Sequence, residues 1–314
     1  MRVLVTGSAG QVGSELVPHL CGLGREVACF DLAAAPTNLP QGVRWIRGDV
    51  TDPDALGAAV SGHRPEVVYH LAAILSAKGE RDPHRTWRVN LDGTRNVLEA
   101  ARNGDVRQVL FASTIAVFGP GLPEPVPDEV SRRPRTMYGV TKVAGEVLGE
   151  YYQRRWGLQF RGVRFPGLIS AGVPGGGTTD YALWMYIDAV RHGRYECFVA
   201  APSRVPMMYL PDGLRAMVEL SDAPAESLTR CVYNIAAISP TAAEIADAVR
   251  RRVPGADIIF RPDPGRQEIL DSWPHELDDT AARSEWGWRH DYDLERMSDD
   301  LLERIPGLLE TLGA

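Results

Sequence analysis

In the first half of the chain, the pattern of hydrophobic and polar positions alternates between two kinds of segment. Short apolar runs rich in valine predict buried β-strands at residues 3–6, 27–31, 43–48, 67–71, 109–113 and 160–165. Apolar positions at helical spacing predict helices between them, at residues 12–23, 53–60, 86–102 and 137–156. Strands that alternate with helices pair in parallel through right-handed crossovers. The pattern therefore predicts an α/β fold with a doubly wound parallel sheet.

The second half of the chain has a different sequence pattern. Glycine and proline are concentrated in residues 166–177, which predicts an irregular loop. Helical patterns follow at residues 179–192, at 212–220 with Asp212 in the N-cap position, at 240–252 and at 294–312. Residues 232–235 predict one more strand. We expect residues 1–165 to form the first domain, residues 166–314 to form mainly a smaller α/β region, and residues 205–240 to return to the first sheet.

A glycine-rich segment joins the first predicted strand to the first helix. In Thr6-Gly7-Ser8-Ala9-Gly10-Gln11-Val12-Gly13, the first glycine permits a tight turn, the second lets the backbone approach a diphosphate, and the third lets helix and strand pack closely. The helix N-terminus offers free N–H groups to phosphate oxygens. The strand–turn–helix context predicts a Rossmann-type dinucleotide site that includes Gly7, Gly10, Gln11, Val12 and Gly13.

Strand ends supply the other side chains expected around the cofactor. Asp31 ends the second strand, where a carboxylate can accept both ribose hydroxyls and repel a 2′-phosphate, which favours NAD over NADP. A turn or capping role for Asp31 is the alternative. We also expect a contribution from the ends of the third and fourth strands, although ordinary strand-end chemistry would explain them too: Asp49, Val50, Leu71, Ala72 and Ala73.

Tyr138 and Lys142 are four residues apart on a predicted helix and therefore share one face. A nearby ammonium lowers the pKa of a phenol, which makes the phenol a better base. Such a pair is often a surface feature, but here it follows the fifth strand of a dinucleotide-binding pattern. Thr114 and Ser113 close that strand, where a hydroxyl can bind the reacting oxygen of a substrate.

These motifs resemble the extended short-chain dehydrogenase/reductase superfamily over residues 1–235. The resemblance rests on the glycine segment, on Ser113-Thr114-Ile115-Ala116-Val117-Phe118-Gly119 and on the Tyr138/Lys142 pair, and it implies that Thr114 is the catalytic hydroxyl, with Ser113 the lesser candidate. Four further runs narrow the resemblance to the short-chain L-threonine 3-dehydrogenases: residues 135–146, 164–170, 175–182 and 206–212. The most specific run is Gly175-Gly176-Gly177-Thr178-Thr179-Asp180-Tyr181-Ala182.

The resemblance implies NAD-dependent oxidation of L-threonine at C3 to L-2-amino-3-oxobutyrate, with Tyr138 as general base and Lys142 binding the nicotinamide ribose. It assigns residues 1–165 to NAD and residues 166–314 mainly to the substrate. Further cofactor residues would be Asn90, Pro166, Leu168 and Ile169. Substrate residues would be Ser76, Ser113, Tyr138, Gly167, Thr178, Thr179 and Asp180. Asp180 either attracts the substrate ammonium or caps a helix. A homodimer through the helices at 86–102 and 137–156 is also implied.

Two other functions remain open at this point. One is a sugar-nucleotide epimerase or dehydratase on the same scaffold, against which residues 178–180 argue. The other is a non-catalytic NAD-sensing regulator, which would be expected to lose Tyr138 or Lys142.

Composition narrows the remaining classes. The formal charge is −7, from 34 basic and 41 acidic side chains, and this argues against a nucleic-acid partner. The four cysteines, Cys21, Cys29, Cys197 and Cys231, form no metal-binding spacing, so we expect reduced thiols and no metal. We expect the Arg250–Arg252 cluster to complement a helix dipole and face water. No leader pattern and no apolar run of about 18 residues is present, so we expect a cytoplasmic protein without a membrane partner.

Overall fold

The computed structural model describes residues 1–172 and 175–311. Its strands are β1 (Arg2–Thr6), β2 (Glu26–Asp31), β3 (Arg44–Arg47), β4 (Val67–His70), β5 (Gln108–Thr114), β6 (Gln159–Phe165), β7 (Gly167–Ile169), β8 (Arg194–Cys197), β9 (Met207–Tyr209), β10 (Val232–Asn234) and β11 (Asp257–Phe260). Seven of them form one parallel sheet in the order β10-β6-β5-β4-β1-β2-β3. The predicted doubly wound parallel sheet is confirmed.

Helices connect these strands. They are α1 (Gln11–Gly22), α2 (Pro53–His63), α3 (Ser76–Gly79), α4 (Pro83–Trp87), α5 (Gly93–Asn103), α6 (Met137–Trp156), α7 (Tyr181–His192), α8 (Leu210–Asp222), α9 (Ala242–Arg252), α10 (Pro264–Asp271), α11 (Thr280–Glu285) and α12 (Leu294–Thr311). Among the described residues, no helix is both long and apolar enough to cross a membrane.

Local sequence signals explain where two of the helices begin and where one of them ends. The helix α6 begins after Thr136, whose hydroxyl accepts a hydrogen bond from the Gly139 N–H at 3.1 Å, and it ends before Gly157 at φ +73°. Thr241 and Glu244 form a capping box at the start of α9. These caps satisfy backbone groups that a helix end otherwise leaves without partners.

Apolar layers cover both faces of the large sheet. One layer contains Leu16 and Leu20 of α1 with Met217 of α8, and the opposite layer contains Leu56 of α2 and Leu98 of α5. A third core joins α7, α9 and α12 in the second half of the chain. The two small parallel sheets, β7-β9 and β8-β11, also belong to this half. The glycine segment after β1 lies where the strand order reverses, which is the usual ligand-binding crevice of such sheets.

Several sequence predictions need correction. Asp212 does not cap α8, because the helix begins at Leu210; its buried carboxylate instead accepts the backbone N–H groups of Asp291 and Tyr292. The predicted loop at 166–177 contains β7, because Gly167 and Ile169 pair with β9. Val173, Pro174 and Leu312 lie outside the described residues.

Two helical predictions are also modified. The segment predicted at 86–102 begins at Pro83 and includes a π-helical turn at Arg88–Asp92. Arg252 does not only face water, since it forms ion pairs with Glu295 and Asp299 of α12.

Candidate active site

The glycine segment forms a cradle in which Gly7 and Gly13 leave no room for a side chain. Gly7 has φ +72°, and a Cβ there would lie 2.6 Å from the Ala72 nitrogen. A Cβ on Gly13 would lie 2.4 Å from the Gly7 oxygen. Gly10 is the N-cap of α1 and offers no side chain to the free N–H groups of the first turn. These features fit the diphosphate of a dinucleotide, whose negative charge a helix N-terminus favours.

Asp31 lies beside this cradle. One carboxylate oxygen accepts the Ala9 N–H at 2.9 Å, and the other accepts the Ala33 N–H at 2.9 Å. The carboxylate is only partly buried. Asp31 therefore does form the turn contacts that were the alternative to a cofactor role. These contacts also hold its carboxylate next to the glycine segment, where an adenosine ribose would lie.

A cavity of about 360 Å³ extends from the glycine segment to the carboxyl ends of β4, β5 and β6. Its lining includes most of the residues that the sequence predicted: Gly7, Gly10, Gln11, Val12, Gly13, Leu71, Ala73, Ser76, Ser113, Thr114, Tyr138, Lys142, Pro166, Gly167, Leu168, Thr178, Thr179 and Asp180.

Asp31 and five other predicted cofactor residues do not line this cavity. Val50 packs under Gly93, Ala72 abuts Gly7, and Ile169 is buried in the third core. Asp49 accepts the Thr51 N–H at 2.9 Å. Asn90 is buried and holds the backbone of Ile74 in place. Its side chain accepts the Ile74 N–H at 2.7 Å, donates to the Ile74 carbonyl at 3.0 Å and donates to the Thr141 hydroxyl at 3.2 Å.

Tyr138 and Lys142 share one face of α6, as their spacing predicts. Lys142 is 3% exposed, and its ammonium donates a hydrogen bond to the Ala112 carbonyl at 2.6 Å. Burial lowers the pKa of Lys142 to about 7, and Glu146 opposes that shift. Burial raises the pKa of the Tyr138 phenol to about 12, and its hydrogen bond to Thr114 opposes the rise. Desolvation is the largest influence on both groups in this arrangement: it lowers the pKa of the lysine and raises that of the phenol.

The two strand-end hydroxyls have different surroundings. The Thr114 hydroxyl accepts the Ala116 N–H at 3.2 Å and also bonds to Tyr138. The Ser113 hydroxyl donates to the carboxylate of Glu146. The Ser113 hydroxyl is thus used by the buried carboxylate of Glu146, whereas the Thr114 hydroxyl is bonded to the Tyr138 phenol.

Glu146 is fully buried one helical turn beyond Lys142 and accepts hydrogen bonds from three side chains. Arg164 of β6 donates to both carboxylate oxygens, at 3.0 and 2.9 Å, and Ser113 and Arg132 complete the set. Burial alone would raise the pKa of Glu146, but the Arg164 pair holds it below its ordinary value. Glu146 is therefore a buried anion behind the Ser113–Lys142 wall of the cavity.

Two further short segments contribute polar groups to the cavity lining. The hydroxyls of Ser76 in α3 and Thr178 lie 3.2 Å apart and share a hydrogen bond. Asp180 accepts the N–H groups of Gly176 and Gly177 at 2.6 and 3.0 Å, so its side chain caps the turn before α7. Gly167 leaves room for Thr179, whose Cγ2 would lie 2.8 Å from an added Cβ.

Sequence reasoning missed several lining residues, including Ile74, Leu75, Lys78 and Trp273. Leu75 and Lys78 flank Ser76 and could have been found by extending that segment. Trp273 follows α10 and carries no motif, so only the fold brings it to the cavity.

The parallel sheet, the glycine cradle at its switch point and the Tyr138/Lys142 pair beside it define a nicotinamide-dependent oxidoreductase. The chain belongs to the NAD dependent epimerase/dehydratase family, whose model matches residues 3–236.

Individual relatives are more specific. The mitochondrial L-threonine 3-dehydrogenase of Bos taurus is 44% identical over 305 residues, which cover 96% of this chain and 82% of the relative. The L-threonine dehydrogenase structure from Phytophthora infestans superposes with a TM-score of 0.92 at 42% identity, covering 98% of this chain and all of that one. A monomeric L-threonine 3-dehydrogenase from a metagenome database gives a TM-score of 0.92 at 40% identity, covering 98% and 99%.

Proposed function

We propose that the chain is a dehydrogenase that oxidises the C3 alcohol of L-threonine to L-2-amino-3-oxobutyrate with NAD as hydride acceptor. The observation that carries the proposal is that Tyr138 and Thr114 line the same cavity as the hydroxyl pair of Ser76 and Thr178, and that this cavity also includes the glycine cradle. A small polar substrate would fit within this cavity. The L-threonine dehydrogenases among its relatives support this choice of substrate.

Each residue has a distinct part in the proposed chemistry. Tyr138, as phenolate, takes the proton of the C3 hydroxyl, and Thr114 holds the reacting oxygen in line. Lys142 uses one of its three N–H donors on Ala112 and keeps two for ribose hydroxyls. Because the phenol pKa is high, phenolate formation depends on positive charge close to its oxygen, and Lys142 is the cation on the same helix. When bound, the oxidised nicotinamide supplies a cationic ring that accepts the hydride from C3.

The Asp31 carboxylate beside the cradle supports NAD rather than NADP as the cofactor. We assign residues 1–165 and the returning strand β10 to the cofactor, and residues 166–314 mainly to the substrate. A cytoplasmic location and independence of metal ions stay predictions.

The experiment that tests this function is NADH formation with L-threonine, 2-butanol and UDP-galactose. L-Threonine should be oxidised well and 2-butanol hardly at all, because polar groups built to bind charged ends would be left unpaired. Thr179→Ala should raise KM for L-threonine and leave NAD affinity unchanged. Absence of turnover with L-threonine, together with epimerisation of UDP-galactose, would replace this proposal with a sugar-nucleotide epimerase.

We also propose a homodimer through α6 and the neighbouring α4–α5 segment. Val140, Val147 and Tyr151 are exposed at spacings of seven and four residues and so form a stripe on α6, and Trp87 of α4 is exposed nearby. Light scattering should give twice the monomer mass for the wild-type chain and the monomer mass for Val147→Asp. A monomeric wild-type chain, as the metagenome relative is described, would contradict the dimer.

A further inference from the structure

The distribution of lysine in this chain is uneven. The 34 Lys and Arg side chains include only two lysines, Lys78 and Lys142. Both line the same cavity. Lys142 is buried and bound to the Ala112 carbonyl, whereas Lys78 in α3 is exposed. A lysine ammonium is a compact, mobile point charge, unlike the rigid guanidinium that this chain uses elsewhere.

Lys78 lies against the glycine run of the facing segment. A Cβ on Gly176 would lie 2.5 Å from the Lys78 Cε and 3.1 Å from its Nζ, and Gly176 has φ +88°. The missing side chain at Gly176 therefore leaves space for the lysine stem. Within residues 1–172 and 175–311, the Lys78 ammonium has no hydrogen bond or salt bridge, so its donors are available.

Charge leaves few choices for a zwitterionic substrate. The charged side chains in the lining, as the described residues define it, are Lys78, Lys142 and Asp180. Asp180 uses one carboxylate oxygen, Oδ2, for the Gly176 and Gly177 N–H groups. Its other oxygen is left for an ammonium. In the proposed function, Lys142 stabilises the Tyr138 phenolate and binds the nicotinamide ribose. Lys78 is therefore the lining cation that can bind the substrate carboxylate.

We propose, on the basis of the function proposed above, that Lys78 binds the carboxylate of the amino-acid substrate and makes a negative charge at that position a determinant of specificity. The hydroxyls of Ser76 and Thr178 orient the same end of the substrate, and Asp180 takes its ammonium. Because Lys78 is exposed, its contribution is electrostatic and falls as salt is added.

The test compares L-threonine with L-threoninamide, in which a neutral amide replaces the carboxylate. Lys78→Met keeps the length of the side chain and removes its charge. It should raise KM for L-threonine about tenfold, which is the loss of one hydrogen bond to a charged group, while kcat changes little. KM for L-threoninamide should change less than about twofold, and the salt dependence of KM for L-threonine should flatten. Lys78→Arg should retain the preference for the carboxylate.

Arg81→Met is the matched control. Arg81 is exposed three residues further along the same segment and does not line the cavity, so this variant loses the same charge outside the site. It should behave as wild type. Calorimetric titration with NADH should give the same affinity for Lys78→Met and wild type.

Three results would overturn the proposal. They are an unchanged KM in Lys78→Met, an equal loss with both substrates, and weakened NADH binding, which would place Lys78 on the cofactor. A wild-type chain that does not oxidise L-threonine overturns the proposed function and this inference together. Normal wild-type turnover with an unaffected Lys78→Met overturns the inference alone.

Discussion

Arg164 presents two N–H donors to the two carboxylate oxygens of Glu146, at 3.0 and 2.9 Å, in the buried layer behind Lys142. This geometry is the bidentate pairing that a guanidinium forms best. Because Glu146 also receives the Ser113 hydroxyl, the pair fixes one end of β5 against α6. It therefore influences the site by holding its wall in place and by supplying negative charge one turn from Lys142.

Glu146→Gln should shift the activity profile to higher pH. Glu146 raises the pKa of Lys142 against the lowering by burial. A neutral amide removes this opposing influence, so the pKa of Lys142 falls further. At any given pH fewer Lys142 side chains are then charged, and the Tyr138 phenolate is less stabilised. His70 of β4, whose pKa burial lowers to about 3, stays neutral and does not replace the lost charge. The measurement is kcat/KM from about pH 6 to about pH 10 for both proteins.

The same variant should also lose about 3 kcal/mol of unfolding free energy, since it leaves Arg164 with a broken buried ion pair. Urea unfolding measures that loss. A loss of stability with superimposable pH profiles would restrict Glu146 to a structural role.

Tyr138→Phe removes the proton acceptor and keeps the ring. We expect kcat to fall by roughly 10²–10⁴ because general-base catalysis is lost, while NADH affinity measured by fluorescence stays the same. A variant with more than about half of the wild-type kcat would remove Tyr138 from the proton transfer.

Thr114→Val and Ser113→Ala form a matched pair. Thr114 bonds to the phenol, and its hydroxyl should hold the reacting oxygen, so its loss should lower kcat by roughly 10². Ser113 is bound to Glu146, which keeps its Arg164 and Arg132 contacts when Ser113 is replaced. Ser113→Ala should therefore cost at least about tenfold less activity than Thr114→Val. Steady-state kinetics with L-threonine checks the order, and the reverse order would make Ser113 the key hydroxyl.

Asp31 should set the cofactor preference. The wild-type chain should use NAD with a kcat/KM about 10² or more above that for NADP, because a 2′-phosphate beside this carboxylate is repelled. Asp31→Asn keeps an acceptor for the Ala9 N–H and removes the charge. The ratio of kcat/KM for NAD to kcat/KM for NADP should be about tenfold smaller in this variant than in the wild-type chain. Equal kcat/KM for the two cofactors in the wild-type chain would contradict the role of Asp31.

Much of this architecture could be predicted because its signals are local. The helix α6 has the bounds that the sequence predicts, since Thr136 and Gly157 mark its ends. The strand β7 was missed because three residues between Pro166 and a glycine run carry no periodicity, and only pairing with β9 makes them a strand. Asp212 was assigned to a cap because short-range patterns cannot reveal that Asp291 and Tyr292 meet it. Trp273 and the Glu146–Arg164 pair depend on long-range contacts for the same reason.

The strand β10 has a mechanical consequence. It lies at the edge of the large sheet beside β6, yet it comes after β7–β9 in the chain. Asn234 of this strand binds Val126 and Asp128 of the first half and Asp278 of the second half. Pulling the second half away would therefore strip an edge strand from the first half, so heating should melt the two halves in a single cooperative transition.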